Sequence, residues 1–516
     1  MSLRLFMKRV SGSDAGLPWL TAMVGAVLAA WVIFQNRGEI NSDGILYIEV
    51  ARLFSLGQWQ EGLSLYNWPL YPLLIMLVHK LSGLGFQSAA HLLAGVAFAV
   101  TSGGLLVLIR EVGGNRPTSL AGMILLFSSP YMVGNILPMV VRDQSFWAAH
   151  VWSLVFFIRF YRERTLRQAL WWGVTGSLAV LFRIEAITYL LLLPLIVLHD
   201  EHYPLRERVR QLIKAHMLVL SALAAIVVAF VVYPSLHPEH LGRLQDPVAV
   251  VGRVYQQLVN GLSEKANTYG EQVLGGFLKD YALGGLLLTL GYAFLFKVLS
   301  VAGWLQTWVA MWGRMTPVDT FKKQFNPVFY WLLLLGIGNA LCIILANFLL
   351  PKRYLMPIAF VVLVYAAFGL HTVYEQWAKS TRSIGFRRFA FPGIVILLLI
   401  QLLAIVWPND PEKLTALQAA NWLKLHAHGS DRTYYDSRRM QYYVTGDSSD
   451  RTEDDWQKVH EIFRAGEVKK FDYAVVRISR KHQEHQALLT SLAGGEPVAT
   501  FDNGQGDLVL IYRFGR

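Results

Sequence analysis

Long apolar runs recur along the chain, and they restrict its fold more than any other feature. Several are long enough for the roughly 20-residue helix that crosses a bilayer, and the shorter ones depend on their flanks. Of the 516 residues, 54% are hydrophobic and only 16% are charged, whereas a soluble protein carries about 25% charged residues. The sequence therefore predicts an α-helical polytopic membrane protein with about eleven transmembrane helices. The runs are Leu17–Gln35, Ala89–Ile109, Leu120–Leu137, Phe146–Phe160, Ala169–Leu181, Ala186–Leu198, His216–Tyr233, Tyr281–Leu299, Val328–Leu350, Leu355–Thr372 and Phe391–Trp407.

Lysine and arginine residues gather in alternate connections between these runs. Under the positive-inside rule, this alternation places the N-terminus in the cytoplasm, and an odd number of spans then places the C-terminal segment outside. The net charge of +12 therefore reflects topology, and we expect no nucleic-acid partner. The basic clusters are at Arg4–Arg9, Arg110–Arg116, Arg159–Arg167, Arg206–Lys214, Arg314–Lys323 and Lys379–Arg388.

The sequence divides into two regions of different composition. Residues 1–407 are expected to form the transmembrane domain, with an external loop, residues 36–88, that carries two interfacial helices. The first is "GILYIEVARLF" (44–54) and the second is "NWPLYPLLIMLVHKLSGLG" (67–85). Residues 408–516 carry many charges and predict a small extracytoplasmic α/β domain: an amphipathic helix, strands at "RTYYDS" and "FDYAVVRIS", a helix near 481–493 and a final hairpin.

Charged residues stand at four membrane borders that this topology places on the same outer side. Each spot also has a simple structural interpretation: a carboxylate can cap a helix, opposite charges can pair, and long basic side chains can snorkel to the interface. Charges at membrane depth are costly, however, and usually face a cavity or a partner. The residues are Asp43 in the first external loop, Arg142 and Asp143, Arg183 and Glu185, and Lys352, Arg353 and Tyr354.

Taken together, these spots combine two kinds of chemistry. A carboxylate can accept the proton of an acceptor hydroxyl, and guanidinium or ammonium groups bind phosphate through charge-assisted hydrogen bonds. A phosphate carried by a lipid would lie at this membrane border. The only cysteine, Cys342, lies inside an apolar run, so we expect neither a disulfide framework nor a cysteine-based zinc site.

Several of these segments resemble the GT-C membrane glycosyltransferases, in particular bacterial relatives of protein O-mannosyltransferases and of the lipid A aminoarabinose transferase. The first-loop pattern D-E-x-x-Y of that superfamily is matched by Asp43 and Tyr47, with Gly44 in place of the second acid. A proline-bearing helix follows at "WPLYPLL", a second acidic position at "RDQSFW", and a basic-Tyr turn at "KRYLMP". The tail from "LQAANWLKLHA" onward looks like the external domain of these enzymes.

The resemblance implies an inverting sugar transfer from a polyprenyl-phosphate donor. Asp43 would be the general base and Asp143 would orient the acceptor or a polar group of the donor. The remaining candidates would bind donor phosphate or substrate: Tyr47, Arg142, Arg183, Glu185, Lys352, Arg353 and Tyr354. Some members of the superfamily use a divalent cation and others do not; Gly44 weakens the case for a bound metal here, and we assign no metal ligand.

The implied setting is the cytoplasmic membrane of a bacterium, with the C-terminal domain outside. The acceptor stays open among a lipid, a glycan of the cell envelope and a protein. Two other functions are compatible with many spans and charged residues at one membrane border. One is a transporter or flippase for lipid-linked saccharides, and the other is a polysaccharide polymerase or ligase with a pyrophosphate-linked donor. Transporters usually show internal repeats, and we find none. A non-catalytic scaffold that carries an external domain is the third alternative.

Overall fold

The computed structural model describes residues 16–36, 40–232, 243, 246–315, 321–379, 387–407, 411–428, 431–446, 456–480 and 483–514. Helices dominate this part of the chain. Six of them are long and apolar enough to cross a membrane, or seven if the bent pair Arg116–Phe127 and Pro130–Ile136 is one span. The protein is a polytopic α-helical membrane protein. The six are α1 (Leu17–Gln35), α5 (Phe86–Glu111), Lys279–Ala302, Lys323–Asn347, Lys352–Lys379 and Phe389–Val406, and the first helix of the bent pair, Arg116–Phe127, is α6.

Every predicted apolar run coincides with helical structure in the described residues. Four runs fall on helices outside these six spans and the bent pair, so the count of eleven stays a prediction. These are α7 (Asp143–Glu163), α8 (Leu166–Phe182), the helical stretch Ile184–His199 and the helix Leu205–Val232. The predicted basic cluster Arg4–Arg9 lies outside the described residues, and so does Arg382 of the cluster Lys379–Arg388.

Local sequence explains where several helices begin and end. Asn115 caps the helix Arg116–Phe127, since its side chain accepts a hydrogen bond from Thr118 N at 3.0 Å, and a proline stands in the first turn. Both features are typical of helix N-termini. Pro130 cannot continue the hydrogen-bond pattern of that helix, and the chain bends by 40° there.

The predicted external loop contains three helices: α2 (Ser42–Ser55), α3 (Trp59–Leu65) and α4 (Leu70–Ser82). Both predicted loop helices are present as α2 and α4, and α3 is additional. Helix α4 ends at Gly83, whose φ of +71° is the left-handed conformation that favours glycine at this position.

The C-terminal segment forms a small α/β domain, as predicted. Its sheet has the order β1-β2-β4-β3, in which β1 runs parallel to β2 and the other pairs are antiparallel. Apolar side chains on both faces of β2 and β4 pack against the helices. The strands are β1 (Thr433–Tyr435), β2 (Tyr473–Ile478), β3 (Ala499–Asp502) and β4 (Leu508–Arg513), and the helices are Pro411–His426, Arg438–Thr445, Trp456–Arg464 and Glu484–Ala493.

The chain packs as two compact units. The membrane unit contains residues 1–33, 92–138 and 142–406, and the loop unit contains residues 34–91, 139–141 and 407–516. The loop helices α2–α4 therefore belong to the same unit as the C-terminal sheet. Within the loop unit, the Tyr443 hydroxyl accepts a hydrogen bond from Ile40 N at 3.2 Å.

Candidate active site

An ion pair buried in the membrane unit joins two of the four predicted spots. Asp143 is the first residue of α7, and Arg183 directly follows the end of α8. The Arg183 guanidinium donates through Nη1 to Asp143 Oδ1. The side chains of Arg183 and Asp143 are only 2% and 1% exposed. Asp143 is therefore compensated by a buried cation, which burial of a charge requires.

Local backbone geometry presents Arg183 to this site. Helix α8 ends at Phe182, and Arg183 is extended with φ −144° and ψ 115°. Its amide still donates to Ala179 O at 2.9 Å, and its carbonyl accepts from Ala186 N at 3.0 Å. The one-residue break between two helical segments thus directs a long side chain toward the start of α7.

Glu185 and Tyr354 complete the surroundings of Arg183. The Arg183 Nε donates to Glu185 Oε2 at 3.4 Å, and the guanidinium carbon lies 4.6 Å from the centre of the Tyr354 ring. The latter distance fits a cation–π contact. Burial favours the neutral acid at Glu185, but the charges of Arg183 and Arg142 together with hydrogen bonds lower its pKa. Glu185 is therefore an ionised partner of Arg183.

Two further arginines interact with the residues around Arg183. Arg142 precedes α7, is 6% exposed, and interacts electrostatically with Glu185 and Tyr354. Arg353 lies in the short helical turn Lys352–Leu355 and interacts electrostatically with Tyr354. We call Arg142, Asp143, Arg183, Glu185, Arg353 and Tyr354 the arginine cluster. Its three guanidinium groups and two carboxylates give a net charge of about +1, since arginine stays protonated.

One donor of the cluster has no protein partner. Arg183 Nη2 is buried and makes no hydrogen bond with any residue that the structure describes. A buried donor without a partner costs about 1–3 kcal/mol, and such groups call for a functional explanation. The hydrogen-bonding capacity of this donor is therefore unused within the described part of the protein.

Lys352 differs from the other predicted basic residues. Its side chain is exposed, and its Nζ donates to the Ser300 hydroxyl at 2.8 Å. Among the described contacts, none joins it to Arg183. A role for Lys352 in phosphate binding stays a prediction.

Two residues near the arginine cluster were not predicted. Tyr131, 7% exposed, interacts electrostatically with Asp143, Arg183 and Arg353, and the Phe146 ring centre lies 5.9 Å from the Arg183 guanidinium carbon. Phe146 had a signal in the sequence, because it follows Asp143 by three residues and lies one helical turn on. Tyr131 had none, since it belongs to another span.

Asp43 lies in the loop unit, in the first turn of α2. The N-cap is Asn41, so the interpretation of Asp43 as the cap residue is wrong. The Asn41 side chain does not bond to the helix; its Nδ2 donates to Val140 O at 3.3 Å and its Oδ1 accepts from Val140 N at 3.0 Å. This double contact fixes residues 139–141 against the start of α2 within the loop unit.

Gly44 occupies a place with no room for a side chain. A Cβ there would lie 2.8 Å from Val140 Cβ and 2.9 Å from Asn41 Oδ1. The second acid of the D-E-x-x-Y pattern therefore has no space in this chain. In the described part of the chain, no group of three or more His, Cys, Asp or Glu side chains is arranged to hold a metal ion.

Tyr47 is packed among aromatic rings. It is 4% exposed, and its ring meets Tyr66 and Tyr71 edge to face, with centroids 5.3 and 5.2 Å away. Such edge contacts are a favourable packing of aromatic rings. The ring thus contributes to the core of the loop unit, and its predicted contact with donor stays a prediction.

Comparison with known proteins supports the resemblance that these segments suggested. Residues 67–233 match the family model of dolichyl-phosphate-mannose-protein mannosyltransferases, which confirms the similarity to GT-C membrane glycosyltransferases. No curated protein sequence matches the chain significantly.

Two solved structures show remote similarity to the chain. The archaeal oligosaccharyltransferase AglB from Archaeoglobus fulgidus, in complex with an inhibitory peptide and a dolichol-phosphate, is 14% identical; the alignment covers 92% of this chain and 70% of AglB, with a TM-score of 0.47. ArnT from Cupriavidus metallidurans in the apo state is 12% identical; the alignment covers 96% of this chain and 98% of ArnT, with a TM-score of 0.49. At these values, neither similarity carries an argument about activity.

Proposed function

We propose that the protein is a glycosyltransferase that moves a sugar from a polyprenyl-phosphate donor to an acceptor hydroxyl at the outer face of the cytoplasmic membrane. The observation that carries the proposal is the arginine cluster, with its net charge of about +1 and its buried, unpartnered Arg183 donor. A donor phosphodiester carries one negative charge, which this cluster can neutralise. A pyrophosphate-linked donor carries more negative charge than the cluster offsets.

The change of charge during transfer explains why arginine side chains suit this step. The acceptor oxygen bonds to the anomeric carbon while the bond from that carbon to the phosphate oxygen breaks. The bonding electrons leave with the phosphate, which changes from a singly charged diester to a doubly charged monoester. Guanidinium groups therefore gain interaction energy as the reaction proceeds, and only such gains lower the barrier.

Asp43 supplies the other half of the reaction in this proposal. Its carboxylate takes the proton from the acceptor hydroxyl as the new bond forms. Asp143 does not compete for this role, because it is held by Arg183. Asp143 instead keeps Arg183 in place, which is a positioning role.

The proposed orientation rests on the two ends of α7. Asp143 begins this 21-residue helix, and Arg159 and Arg162 lie near its other end, where both bind Glu111 at 2.7 Å. A helix of that length extends about 30 Å, the thickness of the hydrocarbon core. The end of α7 that carries Arg159 and Arg162 is expected to face the cytoplasm. The opposite end, where the arginine cluster lies, then faces outward.

The test is sugar transfer in vesicles that contain the purified protein and a radiolabelled polyprenyl-phosphate sugar. We expect label to move from the lipid donor to an added cell-envelope acceptor fraction, with release of polyprenyl phosphate. Movement of intact labelled lipid between the two leaflets without bond cleavage would contradict the proposal and indicate a flippase. Transfer from a pyrophosphate-linked donor alone would indicate a polymerase or ligase.

Orientation has its own test. A reporter that is active only outside the cytoplasm, fused after Arg516, should be active, and the same reporter inserted near Arg164 should be silent. If both fusions report one compartment, the placement of the arginine cluster at the outer face is wrong.

A further inference from the structure

A cavity of about 230 Å³ lies within the loop unit and plays no part in the proposed chemistry. Its floor is formed by Ile45 and Ile48 of α2, which are 1% and 6% exposed. Its volume is smaller than the roughly 300–1,000 Å³ of typical ligand sites. The cavity therefore suits one ring-sized group of a larger molecule.

The polar wall of the cavity carries no net charge. Arg52 and Glu49 line it and form a two-point ion pair, with Nη2 to Oε1 at 2.7 Å and Nε to Oε2 at 3.2 Å. The paired charges cancel, so the wall does not select an ion. Each carboxylate oxygen keeps a further acceptor position. Such a wall favours a neutral ligand that carries hydroxyl groups.

Two aromatic residues form the other walls. Phe86 is held on one side by His79, whose ring stacks on it with centroids 3.9 Å apart. Tyr442 comes from the helix Arg438–Thr445, whose N-terminus is capped by Ser437. The face of an aromatic ring is electron-rich and attracts the weakly positive C–H groups on the face of a pyranose ring. A pyranose also carries hydroxyl groups around its edge, where Glu49 and Arg52 can bond to them.

We propose that this cavity binds a neutral pyranose residue of the acceptor, which makes the acceptor a glycan or glycolipid rather than a protein side chain. The inference rests on the proposed function, because only a protein that transfers a sugar has an acceptor. Glu49 follows Asp43 by six residues in α2, a displacement of about 9 Å along the helix axis. Six residues also turn the helix by about 240°, so the cavity and the proposed base lie on different sides of α2, and an acceptor that reaches both must be an extended saccharide.

Binding is tested on the full chain in a detergent without a sugar head group, such as a lauryl amine oxide. Methyl glucoside, methyl mannoside and methyl galactoside are the probes, and dodecanoate is the apolar rival, with saturation-transfer NMR as the readout. Tyr442→Ala should weaken glycoside binding about two- to tenfold, as for loss of one aromatic contact. Tyr442→Phe keeps the ring and should bind normally, as should the control Thr445→Ala on the same helix.

Two outcomes overturn the cavity proposal. One is glycoside binding that neither Tyr442→Ala nor Glu49→Gln changes. The other is a cavity that takes only dodecanoate, with Tyr442→Ala affecting that probe alone. The first result would place glycoside binding elsewhere on the protein, and the second would identify the cavity as an apolar crevice.

Kinetics separate this inference from the proposed function. Tyr442→Ala should raise the acceptor KM while kcat and the donor KM stay unchanged. Normal transfer with an unchanged acceptor KM would overturn the cavity proposal and leave the glycosyltransferase function intact. Tyr442-dependent glycoside binding by a protein that transfers no sugar would contradict the function and support the cavity.

Discussion

Replacement of Asp143 alone should strongly lower the free energy of unfolding. Replacement of its partner Arg183 in the same protein should restore much of that free energy. Asp143→Ala leaves Arg183 buried with Glu185, at 3.4 Å, as its remaining carboxylate partner among the described residues. Breaking one side of a buried ion pair typically costs about 3–5 kcal/mol. In Asp143→Ala/Arg183→Met the unpaired charge is gone, and an apolar side chain fills the space.

The assay is thermal unfolding of purified protein in micelles, followed by tryptophan fluorescence. Each single variant should unfold well below the wild type, and the double variant should unfold above both. The control is Glu467→Ala, which removes an exposed ion pair with Lys470 at 3.1 Å and should change stability by no more than about 1 kcal/mol.

Activity should not follow stability in this series. The double variant lacks the guanidinium that we assign to donor phosphate, so it should be stable and still use donor poorly. Two results would refute the reasoning: a double variant no more stable than Asp143→Ala, or a double variant with normal donor KM and kcat. The first result would show that the buried ion pair does not control stability. The second would show that Arg183 does not bind the donor phosphate.

Three further changes probe neighbouring parts of the account. Tyr354→Ala should weaken donor use about two- to thirtyfold, since it removes a cation–π contact of about 0.5–2 kcal/mol with Arg183, while Tyr354→Phe should retain most of it; donor KM in matched membranes is the measure. Gly44→Ala should lose about 1–3 kcal/mol of stability, because its Cβ would press on Val140; unfolding midpoints check this. The pKa of Glu185 is lowered in the folded protein, so its contribution to stability is present above the unfolded pKa of about 4.3 and lost as pH falls through the folded value. The stability difference between wild type and Glu185→Gln should accordingly be constant from about pH 6 to 8 and shrink below about pH 4, as unfolding at several pH values would show.

The helices could be predicted from sequence because a helix in a bilayer needs a long, continuous run of apolar residues. Each apolar run coincides with a helix, and strands β1–β4 lie where alternating apolar residues indicated them. Residues that share one border could also be expected to meet, and Asp143, Arg183 and Tyr354 do so.

The partners within the site could not be predicted, because they depend on the packing of helices distant in sequence. Nothing in the sequence shows that Arg183 pairs with Asp143 forty residues away, or that Lys352 binds Ser300 instead of joining the cluster. The role of Asn41 was equally hidden. Asn is a common cap residue, and here its side chain holds Val140.

Sugar transfer by Asp43→Asn is the most direct test of the central claim, that Asp43 is the general base. Asp43 is not the cap of α2, and asparagine keeps the size and one acceptor oxygen of aspartate while it removes the charge, whose interaction with the helix dipole is worth about 0.3–1 kcal/mol. The variant should therefore accumulate and bind donor normally. An amide cannot accept the proton, and general-base catalysis contributes roughly 10²–10⁴-fold. The account predicts transfer at least about a hundredfold slower than wild type in membranes matched for protein level. Transfer at a near-normal rate would contradict it.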